Sequence, residues 1–448
     1  MHQADLRHDD DSLRDKLENI FQLRRTRSKV NWDRGQYLDL LNEFGNPQLR
    51  LPPVIHVAGT NGKGSVIAIL RSILQAQGLR VHCYTSPHLI NVNERITLAG
   101  KDIDNKYLEQ LIDQALEYNK GAPLSFFEIT TALAFKAFSD VPADVLLLEV
   151  GLGGRLDCTN VIDDPLVSVI NRISMDHTDF LGNDIRDIAA EKAGVMKNAV
   201  PCVIGHQGGG DISGAVRMVL SDQIASSGAI SCQSGDEWSV KSSDGRLNFI
   251  FGDQSFDFPL PNLNGAHQVQ NAGVALATLF SVRSVLKVED QAIEEGLQNV
   301  YWPGRLQKVD ATALGVSDEC EVWLDSGHND SAGEALANEM MQWRAQGEVP
   351  IYLVMGMLDT KDSAQFLAPL IPHITALHIV SISSDPNSQT KSDVEDKIKD
   401  MCGDVPVYAN EGCIDAISDI ARDNPSSKIL VAGSVYLAGE VLERISGT

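Results

Sequence analysis

The run Val54-Ile55-His56-Val57-Ala58 passes directly into Gly59-Thr60-Asn61-Gly62-Lys63-Gly64-Ser65, and few folds accept such a junction. An apolar stretch ending in closely spaced glycines, one lysine and one hydroxyl reads as a buried strand feeding a phosphate-binding turn. The glycines let backbone N–H groups converge on an anion, and Val66, Ile69, Leu70 and Ile73 continue at helical spacing. Lys63 would face a polyphosphate, and Ser65 a phosphate or its Mg²⁺. The common nucleotide loop is G-x-x-x-x-G-K-[ST]. Here Thr60 and Asn61 alone separate the first two glycines, and Gly64 stands between Lys63 and Ser65. A glycine-rich turn without a ligand is the competing reading; strand, turn, lysine, hydroxyl and helix in the order the mechanism requires favour the phosphate loop.

At 448 residues the chain has length for two or three hydrophobic cores, and 43% hydrophobic residues argue for a globular protein. The formal charge of −24 would repel nucleic acid and anionic membrane surfaces, so neither is expected as a partner. An anionic ligand must then be held by local groups, which a phosphate loop supplies. Cys83, Cys158, Cys202, Cys232, Cys320, Cys402 and Cys413 are scattered and form no C-x-x-C pair, which indicates reduced thiols rather than a disulfide or zinc framework. Residues 1–27 are polar without an apolar core, and no run of eighteen apolar residues occurs, so a cytoplasmic location is expected.

After the first loop, the apolar runs 145–150, 166–170 and 201–204 predict buried strands with helices between them, an α/β arrangement around a largely parallel sheet. Residues 231–259 carry short alternating stretches, 237–240, 247–251 and 255–258, and predict a small antiparallel subsheet. A helix over 266–282 follows. The pattern breaks at Tyr301-Trp302-Pro303-Gly304-Arg305. Strands are then expected at 321–324, 351–354, 376–380, 405–408 and 429–431, alternating with amphipathic helices. The expected division is 1–299, a P-loop-type ATPase domain, and 300–448, a Rossmann-like α/β domain.

Several further features carry chemistry. Glu149 ends the apolar run 145–148, which puts a carboxylate at the C-terminal edge of a strand, where open α/β sheets bind ligands and where Mg²⁺ can be held against a triphosphate. His177, in Ser174-Met175-Asp176-His177, offers an imidazole at the same edge as a metal ligand or a structural group. Lys192 falls on the apolar stripe of Ile185, Ile188, Ala189, Val195 and Met196. Desolvation would free its neutral amine to form a carbamate with CO₂; a snorkelling structural lysine is the alternative. Asn271 lies four residues after His267 on one helix face and can pair with an adenine edge or satisfy packing. Arg305 and Asp325-Ser326-Gly327-His328-Asn329 add polar groups from the second domain, so the site is expected between domains.

The loop variant, Thr85-Ser86-Pro87-His88-Leu89, Ser125-Phe126-Phe127-Glu128, the run 149–160, Asp176-His177-Thr178, Glu191-Lys192-Ala193-Gly194, His267-Gln268, Pro303-Gly304-Arg305, His328-Asn329 and Gly433-Ser434 together resemble the dihydrofolate synthase/folylpolyglutamate synthase family of the Mur ligase superfamily, over 47–439. The resemblance implies ATP-dependent ligation of L-glutamate to dihydropteroate and to reduced folates through an acyl phosphate. It assigns Gly59, Thr60, Asn61, Gly62, Lys63, Gly64, Ser65, Asn271, Arg305 and Asp325 to the nucleotide, and two Mg²⁺ sites to Ser86, Glu149, His177 and carbamylated Lys192. Lys63, Lys192, His177 and His328 would serve the chemistry, and Asp157, Phe127, His328 and Ser434 the substrates, in a monomer.

Two stretches depart from that family. Asp330 stands where a proline is usual after His-Asn, and Pro386-Asn387-Ser388-Gln389 lacks the usual basic residue, which affects the expected glutamate site. The competing activities are one of the two ligations alone, a cell-wall amino-acid ligase, for which the stretch before the loop is too short to hold the extra sugar-binding domain, and a non-ligating nucleotide switch.

Overall fold

The computed structural model describes residues 3–23 and 34–447, apart from 348, 400 and 402. Its centre is an eight-stranded sheet formed by β1 (Val54–Ala58), β2 (Val81–Tyr84), β3 (Ile96–Leu98), β4 (Lys101–Asp102), β5 (Val145–Glu149), β6 (Val167–Ile170), β7 (Pro201–Ile204) and β8 (Ile230–Gln233). The order is β4-β3-β2-β5-β1-β6-β7-β8; only the β2–β3 and β3–β4 pairs are antiparallel. All five residues of β1 and of β5 are buried, which is why their sequences are continuous apolar runs rather than alternating ones. β1 lies between β5 and β6, with Val57 opposite Glu149 and Ala58 opposite Ile170. The phosphate loop, Glu149 and the segment after Ile170 therefore leave the sheet side by side.

One face is covered by helices Lys63–Ala76 and His267–Ser281 and by a three-stranded antiparallel sheet, β9 (Trp238–Ser243), β10 (Arg246–Phe251) and β11 (Gln254–Pro259). The other is covered by helices Asp11–Gln22, Asn105–Asn119 and Phe126–Asp140. The antiparallel sheet starts later than the sequence predicts. Residues 231–233 belong instead to β8, the parallel edge strand of the main sheet, with Cys202 opposite Ser231. Cys232 faces the core there, and its carbonyl accepts from Trp238 Nε1 at 3.1 Å.

A six-stranded sheet follows, built from β12 (Gln307–Val309), β13 (Glu321–Leu324), β14 (Ile351–Met355), β15 (Ala376–Val380), β16 (Val407–Asn410) and β17 (Lys428–Ala432). Its order is β12-β13-β17-β14-β15-β16, parallel except for β12. The strand expected at 405–408 begins two residues later, and β2, β3, β4 and β12 are additions to the expected set. Six cysteines are free and buried; Cys402 lies outside the described residues. The two large sheets meet through the crossover 85–95 between β2 and β3. At Gly439, in helix Val435–Ser446, a Cβ would stand 2.1 Å from the Leu89 carbonyl oxygen, so only glycine admits this approach.

Helix Asp290–Asn299 braces the helix that follows the phosphate loop, and the contact is closest at Gly296. A Cβ there would lie 2.4 Å from Ile73 Cα and 2.6 Å from its nitrogen. Backbone atoms cannot turn aside as a flexible side chain does, so Gly296→Ala is expected to cost about 1–3 kcal/mol of stability. Urea titration checks this as a lower midpoint at unchanged slope.

Candidate active site

The loop after β1 is held open by its neighbours. Gly62 has φ +79° and caps the helix that begins at Lys63. A side chain at Gly62 would collide with Asn171 Nδ2 and Asn271 Oδ1, each 2.4 Å from the would-be Cβ, so the glycine serves both its conformation and its closeness to two amides. Those amides form a brace. Asn171 Nδ2 donates to the Asn61 carbonyl (3.1 Å) and to Asn271 Oδ1 (2.8 Å), Asn271 Nδ2 donates to Gln268 Oε1 (2.9 Å), and Gln268 Nε2 approaches Ser65 Oγ at 3.4 Å. Thr60 Oγ1 donates to the Ser174 carbonyl at 3.0 Å and so ties the loop to the strand end beyond β6. The extra Gly64 also has a local reason: a Cβ would sit 2.9 Å from Trp302 Nε1.

Lys63 Nζ donates to the Thr60 carbonyl at 3.2 Å and lies 3.8 Å from Glu149 Oε1. Glu149 is 4% exposed, and its Oε2 accepts the Ser86 N–H at 3.1 Å. Burial pushes its carboxyl above the ordinary range, opposed by Lys63 and the Ser86 N–H. A hard divalent cation beside this carboxylate would offset its desolvation, so the donor chemistry fits Mg²⁺. Among the described residues no three His, Cys, Asp or Glu side chains cluster closely enough to hold a metal by themselves. A metal there requires hydroxyl, carbamate or phosphate oxygens as well.

Lys192 lies in helix Ile185–Ala193, 5% exposed, with Nζ donating to the Gly59 carbonyl at 3.0 Å. Burial, aided by the charge of Lys63, lowers its amine to about 7. The apolar stripe read from the sequence thus delivers a buried amine to the Gly59 carbonyl of the phosphate loop. His177 adopts φ +52° at the start of helix Thr178–Leu181, and its side chain is 41% exposed.

Asp176 is the meeting point of the two sheets' loops. Its Oδ1 accepts from Lys361 Nζ at 2.7 Å; its Oδ2 accepts from Asn329 Nδ2 at 3.2 Å and lies 3.7 Å from His328 Nε2 and 3.9 Å from His177 Nε2. Burial works to raise the Asp176 carboxyl, but His328, His177 and Lys361 together carry it well below the usual carboxylate range. Asn329 also exchanges amide hydrogen bonds with Asn61 of the phosphate loop, at 3.0 and 3.1 Å, while capping helix Asp330–Gln346. His328, Asn329 and Lys361 from the second sheet are therefore seated against the loop itself.

Other expected residues are placed differently. Asp325 receives the N–H groups of Leu306 (2.9 Å) and Gly327 (2.7 Å), and Arg305 follows the turn at Gly304. Ser434 caps the helix Val435–Ser446 at the Tyr436 N–H. Asp157, 3% exposed, spends its oxygens on Leu152 N and on Thr159 N and Oγ1. It shapes its own loop in this conformation, with Phe127 packed over Gly151 nearby. The departure after Pro386 has a structural role: Gln389 Nε2 donates to the carbonyls of Leu358 and Lys361, both at 2.8 Å, and so holds the Lys361 loop.

Sequence reasoning gave no individual role to Asp176, Lys361, Asn171 or Gln268, and placed Asn329 only as one polar group of the 325–329 cluster. Asp176 could have been found as a carboxylate preceding His177 at a strand end, and Lys361 as the single cation of the polar turn after β14. Gln268 and Asn329 fall inside quoted motifs but Asn171 does not, and for all three the partner is what gives the amide its meaning.

A model of the Mur ligase middle domain matches residues 57–279, and one of the dihydrofolate synthetase C-terminal domain matches 307–444. The dihydrofolate synthase/folylpolyglutamate synthase of Bacillus subtilis is 30% identical over 436 residues, covering 92% of this chain and 94% of that protein. The chain belongs to the dihydrofolate synthase/folylpolyglutamate synthase family. It is an ATP-dependent ligase of Mur type. A probable bifunctional folylpolyglutamate synthase/dihydropteroate synthase of Halobacterium salinarum is 32% identical over 92% of this chain, which spans about half (49%) of that protein. Among solved structures, E. coli FolC in complex with DHPP and ADP is similar with a TM-score of 0.83, 29% identity and coverage of 96% of this chain and 97% of that one. A bifunctional folylpolyglutamate synthase/dihydrofolate synthase with Mn, AMPPNP and L-glutamate bound is similar at 0.78, with 29% identity over 92% and 93%.

The lowered basicity of Lys192 fixes a pH dependence for the ligase. Its amine titrates near 7 when folded and near 10.5 when unfolded. Between those values the unfolded chain binds the extra proton, so stability rises with pH across that window. Lys192→Met is expected to be more stable than the parent below pH 7, with the difference shrinking toward pH 10. Urea midpoints at pH 6.5, 8 and 9.5, in chelator and CO₂-depleted buffer, check it.

Proposed function

We propose that this ligase joins L-glutamate to dihydropteroate, forming dihydrofolate, and to reduced folates, forming folylpolyglutamates. The observation that carries the reading is the convergence of the phosphate loop, Glu149, Lys192 and the 325–329 segment of the second sheet on one cleft. The relatives solved with DHPP and ADP, and with Mn, AMPPNP and L-glutamate, support the same substrates here. Division into an ATP-binding domain, 1–299, and a glutamate-ligase domain, 300–448, accords with the two sheets and the two matched models. The reduced, buried cysteines and the absence of a described helix long and apolar enough to cross a membrane accord with work in the cytoplasm.

In this mechanism a carboxylate oxygen of the pteroate or folate attacks the γ-phosphorus of ATP, and ADP leaves. The amine of L-glutamate then attacks the acyl carbon; the C–N bond forms as the acyl C–O bond breaks, and phosphate departs with loss of the amine proton. Lys63 and the loop N–H groups hold the phosphates and neutralise charge developing on the transferred group. Ser86, Glu149, His177 and carbamylated Lys192 would hold two divalent cations, which when bound supply further neutralisation at that group. Asn271, Arg305 and Asp325 grip the nucleotide. By the family resemblance His328 and Ser434 would serve the incoming glutamate and Phe127 and Asp157 the pterin, Asp157 by way of the loop it holds. Seating of the 328–329 turn against the loop shields the acyl phosphate from water.

Phosphate release by purified protein with Mg·ATP and L-glutamate tests the proposal. Turnover with both 7,8-dihydropteroate and tetrahydrofolate is expected; turnover with one alone restricts the activity, and turnover with neither refutes ligation of these substrates. Lys192→Ala is expected to lower turnover by at least about a hundredfold while the circular dichroism spectrum is retained. Full activity in that variant would remove the carbamate from the mechanism. Glu149→Gln is expected to lower turnover and raise the Mg²⁺ concentration giving half-maximal rate; an unchanged metal titration excludes Glu149 as a ligand.

A further inference from the structure

The residues before the first long helix lie outside the cleft, yet they touch both sides of the joint between the two large sheets. The 3₁₀ turn Gln3–Leu6 places Asp5, 6% exposed, in that joint. Its Oδ1 accepts from Arg95 Nη2 at 2.6 Å and from Tyr436 OH at 3.1 Å. Arg95 ends the crossover 85–95 on the first sheet, whereas Tyr436 lies in the first turn of helix Val435–Ser446 on the second. Two more ties flank this carboxylate. Arg7 pairs with Glu443 of the same helix, and His8 Nε2 shares a hydrogen bond with Asn93 Oδ1 at 2.8 Å within the crossover.

The crossover is well placed to pass this order to the site. Arg95 Nε donates to His88 Nδ1 at 2.8 Å, and the guanidinium lies 5.3 Å from the centre of the Phe126 ring. His88 is two residues beyond Ser86, whose N–H holds Glu149. Glu94 receives the N–H groups of Leu89, Ile90 and Asn91, so the crossover moves as one piece. Leu89, in turn, is the residue against which Gly439 closes. Arg95, His88 and Tyr436 are all buried. Removing one member of such a buried charged group leaves its partners without compensation, so the group has strong reason to stay assembled. It assembles only when both units are docked.

We propose that residues 3–8 form a strap across the joint and that Asp5 is a positioning residue, setting the crossover that carries Ser86 while holding the second unit closed over the nucleotide cleft. The kinetic consequence rests on the ligase reading; the structural consequence does not. Opening the cleft breaks the Asp5–Tyr436 and Arg7–Glu443 ties together, so the strap biases the protein toward the closed arrangement in which His328 and Asn329 meet the phosphate loop.

Hydrogen exchange on the full-length protein, alongside steady-state kinetics, tests the strap. Asp5→Asn is expected to speed amide exchange in 85–95 and in 435–446 while β1 and β5 keep their protection. Its kcat should fall at least about fivefold, as coupling between sites commonly amounts to, and its thermal midpoint should fall as well, because Arg95 loses its buried counter-charge. Tyr436→Phe keeps the Arg95 pair and should speed exchange in 435–446 but not in 85–95. Unchanged exchange in 435–446 in both variants overturns the strap, as does a uniform rise that includes β1 and β5, since that marks a general loss of stability. Exchange confined to the two segments with kcat unaltered overturns the positioning role. A protein inactive on every pteroate and folate would refute the ligase reading, and the exchange result would still decide the strap.

Discussion

The closeness of the phosphate loop to the strand end beyond β6 governs the rest of this structure. A would-be Cβ at Gly62 lies 2.4 Å from the amides of Asn171 and Asn271 and one at Gly59 lies 3.0 Å from Asn171, and both glycines have positive φ, so a side chain at either would be strained. Once that contact is made, the direction of the helix from Lys63, the seat of Ser65 beside Gln268 and the position of the Gly59 carbonyl above Lys192 all follow. A loop built to bind a polyanion must keep its N–H groups unspent until the ligand arrives. The amide chain from Asn61 through Asn171 and Asn271 to Gln268 holds the loop through the Asn61 carbonyl rather than an N–H, although the Thr60 N–H is spent on the Arg172 carbonyl at 2.9 Å.

A second consequence concerns charge. The chain carries a formal charge of −24, yet its cleft gathers Lys63, Lys192, Lys361, His177 and His328 around the buried carboxylates Glu149 and Asp176. Local geometry thus sets the cations Lys63 and Lys361 at the loop, against the sign that overall composition presents. Asp176 joins the two halves of this arrangement because its oxygens accept from the second unit while its backbone belongs to the first. The groups that join the two units at Asp176 thus lie beside the phosphate loop as well.

Much of the architecture was legible along the chain. Continuous apolar runs at 145–148 and 351–354 became strands buried on both faces, and the apolar stripe through Lys192 did carry that lysine into the interior. Strands β2 and β12 escaped notice because they are short and mixed in composition; pairing with neighbours, not propensity, makes them strands. The same reason moved 231–233 from the antiparallel sheet to the edge of the main one. The residue types of the cleft were legible too, since a glycine-rich loop and strand-end carboxylates or imidazoles occur as local patterns.

What the sequence determined by itself is therefore local: a strand, a phosphate turn and a helix in immediate succession, a lysine on an apolar face, and a carboxylate at a strand end. What the tertiary structure decided is partnership. Asn171 meets the loop from 110 residues away, Lys361 reaches Asp176 across 185, and Asn329 clasps Asn61 across 268. No periodicity or short motif records such pairings, because they depend on strand order and on how two sheets dock. An amide or a carboxylate acquires its role only when burial removes water and leaves one particular partner within reach.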